Sequence, residues 1–163
     1  MSDQAFDPVA DSSCRVLILG SFPGIKSLQH RQYYANPRNQ FWQLVSGIVG
    51  TDLPSLAYPD RLKTLVAHRI GLWDVVATAN RAGSLDAALR NVVPRDLHTL
   101  AASLPNLRAM AFNGATAFKI GQRQMAGNHT IERLLLPSSS PAHTIDLTVK
   151  AEQWQKLAAC LEP

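Results

Sequence analysis

Four short strand candidates, separated from one another by segments with helical spacing, constrain this chain more than any other feature. Arg15-Val16-Leu17-Ile18-Leu19 stops at Gly20, and Ile70-Gly71-Leu72-Trp73-Asp74-Val75-Val76 forms a second run. Residues 107–112 lead into Asn113-Gly114, and residues 131–136 are broken by Pro137-Ser138-Ser139-Ser140-Pro141. Uninterrupted Val, Ile and Leu suit strands buried on both faces. Strands alternating with helices imply an α/β fold, a three-layer α/β/α sandwich around a central, mainly parallel four-stranded sheet. The chain contains no internal repeat, low-complexity tract or linker, so residues 1–163 are expected to form a single domain.

The helical segments carry their own start and stop signals. Asn36-Pro37 suggests an N-cap followed by proline at the first helical position. Phe41, Trp42, Leu44, Val45, Ile48 and Val49 then follow at helical spacing up to Gly50. Further helices are expected over residues 59–68, 85–91, 94–104, from 115 onward, and over 148–161. In a parallel sheet, ligands bind beyond the carboxyl ends of the strands. The loop from Gly20 to Gly24, the Trp73-Asp74 pair, Asn113-Gly114 and the serine loop from Pro137 to Pro141 all lie at such ends. They are expected to converge on one site.

Composition narrows the function classes. The 163 residues are 46% hydrophobic and 17% charged with a formal net charge of +4, which is ordinary globular composition with a mild bias toward a polyanionic partner. The two cysteines, Cys14 and Cys160, cannot alone ligate a four-cysteine cluster, and the five histidines lack ligand spacing, so no metal or other cofactor is expected. Two reduced thiols or a terminal disulfide both remain open. No apolar stretch is long enough to span a membrane, and the N-terminus lacks signal-peptide character, so a cytoplasmic protein is expected. Neither a Walker A sequence nor GxGxxG nor GxSxG occurs.

Several residues at the strand tips have chemistry to offer, each with a plainer alternative. Gly20-Ser21-Phe22-Pro23-Gly24 can bring backbone N–H groups close to an anion or a carbonyl oxygen, or can be a simple tight turn. Asn39, expected in the first helical turn, is a neutral amide that can hold a water, or it can merely decorate a helix start. Asp74 can accept a hydrogen bond from a ring N–H of a base, or can cap a segment or pair with Arg81. Asn113 is an amide reader or a left-handed turn residue. Ser138, Ser139 and Ser140 can contact phosphates without bulk.

Taken together these segments resemble the uracil-DNA glycosylase superfamily, and within it the hypoxanthine-DNA (deoxyinosine) glycosylases. The resemblance rests on Gly20 to Gly24, on Tyr33 through Trp42 with its Asn-x-Phe-Trp core, and on Ile70 to Val76 followed by Gly83-Ser84-Leu85-Asp86. Phe112-Asn113-Gly114 and Leu136 to Ala142 complete the set in the right order. Two departures carry chemical consequences. Phe22 stands where many members have a water-orienting Asp or Asn, and the resemblance implies that Asn39 takes over that task. Leu136 stands where the uracil enzymes have a histidine that stabilises the leaving base.

The resemblance implies a DNA-repair N-glycosyl hydrolase of base excision repair, monofunctional and expected to be a monomer. Its substrate would be double-stranded DNA carrying a deaminated base, with hypoxanthine foremost. Asn39 would be catalytic, and Gly20, Ser21, Phe22, Pro23, Trp42, Asp74 and Asn113 would form the base pocket. Ser138, Ser139 and Ser140 would bind DNA. Uracil or G·T/G·U mismatch excision, a lesion-binding module without catalysis, and a small-molecule hydrolase using the serine loop are the alternatives.

Overall fold

A computed structural model describes residues 2–163. In chain order its elements are β1 (Asp3–Gln4), β2 (Val16–Gly20), α1 (Ile25–His30), α2 (Phe41–Val49), α3 (Tyr58–Ala67), β3 (Ile70–Asp74), β4 (Val76–Asn80), β5 (Arg90–Pro94), α4 (Leu97–Ala102), β6 (Ala109–Asn113), α5 (Ala115–Gln124), β7 (Glu132–Leu136), α6 (Leu147–Trp154) and α7 (Leu157–Leu161). Four strands make a wholly parallel sheet in the order β3-β2-β6-β7. Gly20 pairs with Asp74 and Asn113 with Leu136, so the four strands end nearly level.

Alternation along the strands divides the core in two. Val16 and Ile18 of β2, Ile70 and Leu72 of β3, and Ala109 and Ala111 of β6 face one side. There they pack with Phe41, Trp42, Leu44 and Val45 of α2, Leu65 of α3, Trp154 of α6 and Leu157 of α7. Leu17, Leu19, Trp73, Met110 and Phe112 face the other side, against Leu97 and Ala101 of α4, Ala117 of α5, and Val76 and Ala79 of β4. Both faces are covered, which is why the strands read as continuous apolar runs. Strands β3 and β6 flank β2 on opposite sides, so the direction in which successive strands are added reverses between β2 and β6. That reversal opens a crevice at the carboxyl edge.

The sandwich with its four-stranded sheet is as expected, but several elements differ. The run 70–76 is not one strand. After Asp74 the chain leaves the parallel sheet, Val75 N–H bonding Gly20 O (2.8 Å), and β4 joins an antiparallel sheet of order β1-β4-β5. Residues 85–91 hold only a 3-10 turn at 86–88 before β5, whose Val92-Val93 pair suits a strand. The helix expected over 94–104 shortens to α4, started by the Asp96 side chain accepting from Thr99 N–H. Asn36-Pro37 does not open α2: Asn36 Oδ1 accepts from Arg38 N–H and Asn36 O from Asn39 N–H, closing a turn that competes with the helix. Gln40 is the N-cap instead. The closing helix is interrupted between Trp154 and Leu157. Cys14 and Cys160 are both free thiols, so no terminal disulfide joins them.

Candidate active site

The four strand tips converge as expected. A cavity of ≈ 630 Å³ opens there, lined by residues 20–24 of the first loop, Tyr34, Asn39, Asp74, residues 84–86, Asn113 and residues 138–143 among others. Its volume is within the range of small-ligand sites. Gly20 is required by close approach. A Cβ there would lie 2.7 Å from Asp74 Oδ1 and 3.0 Å from the Tyr34 hydroxyl, so any side chain would push into the cavity floor.

One wall is a saturated hydrogen-bond network. Asn113 Nδ2 donates to Ser139 Oγ (2.8 Å) and to the Tyr34 hydroxyl (3.2 Å), while Asn113 Oδ1 accepts from Ser139 N–H (2.9 Å). Ser139 Oγ in turn donates to Asn39 Oδ1 (2.8 Å). That same oxygen accepts from Phe41 N–H (3.0 Å), which fixes which end of the amide is oxygen and holds its plane. Asn39 thus sits just before α2 rather than in its first turn, as the residue whose side chain caps Phe41 N–H. The Gln40 N–H to Ser139 O bond (2.9 Å) ties the backbones of the two segments together.

The floor differs. Asp74, 4% exposed, has an oxygen, Oδ2, without a hydrogen-bond partner among the described residues. Burial raises its carboxyl from 3.8 to about 7; Arg95 opposes the rise, Asp86 adds to it, and Arg81 opposes it more weakly. The other lip of the cavity is braced by Ser21 Oγ donating to Asp86 Oδ1 (2.6 Å) and by Arg81, which pairs with the same oxygen at 3.4 Å. Arg81 also donates to Pro23 O, and its guanidinium lies 5.5 Å over the Phe22 ring.

Gly20, Ser21, Phe22, Pro23, Asn39, Asp74, Asn113, Ser138, Ser139 and Ser140 all line this cavity. Trp42 does not: it is buried in the core beneath α2, its indole N–H donating to Tyr34 O (3.2 Å) and its ring under the Arg61 guanidinium. Ser139 is 1% exposed and its hydroxyl is spent on two amides, so it is an internal link, not a phosphate contact. Arg81 pairs with Asp86, and the pairing weighed for it with Asp74 is not formed. Sequence reasoning passed over Tyr34, whose hydroxyl borders Asp74 and Asn113 and whose ring stacks on Phe41 at 3.9 Å. Its backbone is left-handed (φ 54°), an uncommon state for an aromatic residue that turns the side chain into the site. Ser84 and Asp86 were likewise visible only as motif residues. Among the described residues, no group of three or more His, Cys, Asp or Glu is placed to hold a metal ion. Nor, among the described residues, is any helix long and apolar enough to cross a membrane.

Known proteins share this arrangement of sequence and fold. Residues 7–160 match the family model of the uracil DNA glycosylase superfamily. A hypoxanthine DNA glycosylase of Methanosarcina acetivorans is 37% identical over 156 residues, covering 95% of this chain and 97% of that protein. One from Methanosarcina barkeri is 36% identical over 154 residues, covering 94% and 96%. The solution NMR structure of a candidate uracil DNA glycosylase from Methanosarcina acetivorans superposes with a TM-score of 0.85 at 37% identity, over 100% of both chains. With a family match across nearly its whole length and relatives this similar, the chain belongs to the uracil DNA glycosylase superfamily.

Proposed function

We propose that this protein is a monofunctional DNA glycosylase, acting as a monomer in the cytoplasm. It hydrolyses the N-glycosidic bond of a deaminated base, hypoxanthine foremost, in double-stranded DNA. The observation that carries the reading is that one cavity is lined by a rigidly held neutral amide, Asn39, and by a buried carboxyl, Asp74, with an oxygen left over for a ligand. The names of the two Methanosarcina relatives point the same way.

The nucleotide must leave the helix to reach such a cavity, at a cost of a few kcal/mol that a weak mispair reduces. Asn113 has committed its amide to Tyr34 and Ser139, which leaves Asp74 as the reader of the base edge. Below about pH 7 this buried carboxyl is neutral and presents a C=O and an O–H side by side. These match the N1–H and C6=O of hypoxanthine, each donor facing an acceptor. As the glycosidic bond breaks, its electron pair moves into the base, and the Asp74 O–H supports the charge growing on O6. The sugar becomes oxocarbenium-like and takes hydroxide from a water whose proton is released. Asn39, its oxygen already engaged by Ser139 and Phe41, holds that water through the N–H groups of its Nδ2, with no need for a strong base. The loop of Ser138 and Ser140 meets flanking phosphates.

The test is alkaline cleavage of duplexes carrying inosine, uracil, xanthine or a G·T mispair after incubation with the protein. Alkali-labile sites at inosine are the expected product. Uracil offers the same N–H/C=O edge but has no histidine at position 136 to receive it, so its excision is expected to be slower. Binding without cleavage would replace this reading with a lesion-binding module. Faster release of uracil or mismatched thymine would replace hypoxanthine as substrate.

A further inference from the structure

Among the described residues Lys150 is the one buried lysine, and the chemistry above makes no use of it. Its Nζ donates to Gln40 Oε1 (2.8 Å) and to Ser140 O (3.2 Å), both neutral oxygens. Among the described residues, no carboxylate lies within ion-pairing distance of it. One helical turn further along α6, Trp154 donates from its indole N–H to Pro137 O (2.9 Å) and packs edge-on against Phe41 at 5.8 Å. Residues four apart share a helix face. Thus α6 grips the serine loop at both ends, at Pro137 and Ser140, and the Asn39 segment at Gln40 and Phe41. The Ser139–Asn39 contact lies between the two grips.

We infer that Lys150 is a positioning residue for base excision: by drawing Gln40 and Ser140 together, it sets Asn39 against Ser139. The inference rests on the glycosylase reading for its consequence, though not for its geometry. An ammonium is suited to the task because its N–H groups point to two acceptors on different segments. An apolar side chain of the same length would deprive both half-buried oxygens of this partner, freeing the segments to drift. The backbone bond from Gln40 N–H to Ser139 O does not involve the lysine, so the fold is expected to survive its loss with a change of sub-ångström placement.

The experiment compares wild type, Lys150→Met, Ser139→Ala and the double variant in single-turnover excision and in duplex affinity. Misplacing a reacting group by a fraction of an ångström to an ångström slows chemistry by about 10- to 100-fold. Lys150→Met should lose that much rate while holding inosine duplex nearly as tightly as wild type. If Lys150 acts through the Ser139–Asn39 contact, the loss in the double variant falls well short of the product of the single losses. An unchanged rate, a loss carried wholly by affinity, or full multiplication of the two effects would each overturn the inference. Backbone amide exchange gives a readout independent of activity. It should accelerate at residues 38–41 and 137–141 in Lys150→Met while β2 and β6 keep their protection, and uniform exchange across the chain would overturn the clamp. A wild type that releases no base would count against the glycosylase reading, while the exchange data would still judge the clamp. Should Lys150→Met not fold, Gln40→Ala removes one end of the same bond and takes its place in the cycle with the same expected results.

Discussion

Asp74 and Asn113 end neighbouring strands of β2, one on each side, and both are buried polar residues bordering one cavity; their surroundings treat them oppositely. Asn113 has its oxygen and its amide hydrogens engaged by Ser139 and Tyr34. Asp74 keeps an oxygen with no partner among the described residues, at a depth where an unmet polar atom costs on the order of 1–3 kcal/mol. The saturated side is built to hold something of the protein's own, and what it holds is Asn39. The unsaturated side is built for something that arrives. A polar group at a strand tip therefore reveals its role less by its type than by how much of its hydrogen-bonding capacity the fold has already consumed.

The sharpest break of this comparison is Asn39→Ala. If the saturated wall exists to aim this amide, its removal should lower the single-turnover excision rate by about 100-fold or more, as loss of a positioned catalytic group does. DNA binding should persist. Some stability is also lost, because Phe41 N–H forfeits its cap at a cost of about 1 kcal/mol. A folded Asn39→Ala protein with the wild-type rate would show that the network serves packing alone.

Asp74→Asn probes the other side with a smaller effect. An amide offers the donor and acceptor of a neutral carboxyl at every pH, so excision at pH 6 should stay within about tenfold of wild type. The difference lies in pH. Asp74 faces Arg95, Arg81 and Asp86, with Tyr33 and Tyr34 nearby, and burial outweighs the arginines to hold its carboxyl at about 7 against an ordinary 3.8. Wild type should therefore lose activity as pH rises through about 7, and the Asn variant should not show that limb. Stability has the same sign. The folded state binds the extra proton between the two values, so the contribution of the neutral carboxyl is complete below about pH 4 and lost as pH climbs through about 7. Thermal melts should show Asp74→Asn gaining on wild type as pH is raised, with the largest gap above about pH 8. Matching pH profiles for the two proteins would mean that Asp74 does not titrate in this range.

The asymmetry between what was legible and what was not follows the same physics. Three of the four parallel strands, β2, β3 and β6, announced themselves because strands buried on both faces must be apolar until they stop, and where they stop Gly20, Asp74 and Asn113 are conspicuous. Strand β7, an edge strand beginning Glu132-Arg133, was marked mainly by the Pro137 that ends it. The antiparallel sheet left no such trace: β1 has two residues, and β5 is exposed at all five positions, so no burial pattern marks it. Trp42 read as a pocket aromatic because an aromatic beside an amide looks alike whether it faces a ligand or a core. Three consecutive serines carry nothing to distinguish Ser139, which turns inward, from its neighbours. The role of Asn39 emerged from resemblance rather than from spacing, since the turn at Asn36-Pro37 displaced the start of α2 by several residues. Lys150 left one signal, its place one helical turn before Trp154 in the last amphipathic segment, and a lone lysine there looks like solvated surface.

Ser138 carries the smallest expected effect and tests whether the serine loop has two faces. Unlike Ser139, it is only partly buried, and its hydroxyl accepts from Ser140 N–H at 3.1 Å, leaving its own hydrogen available to an incoming oxygen. One neutral hydrogen bond to a phosphate contributes roughly 0.5–1.5 kcal/mol, so Ser138→Ala should weaken duplex affinity by about two- to tenfold. The rate at saturating protein should be untouched, because Asn39 is held from Ser139. The slope of affinity against salt should also stay constant, since a hydroxyl releases no condensed counterion. Titrations of wild type and variant against one inosine duplex at several salt concentrations separate these cases. Parallel lines displaced vertically fit a hydroxyl on a phosphate. A slower chemical step with unchanged affinity would move Ser138 to the inward network, and the division of the serine loop into a holding face and a docking face would fail.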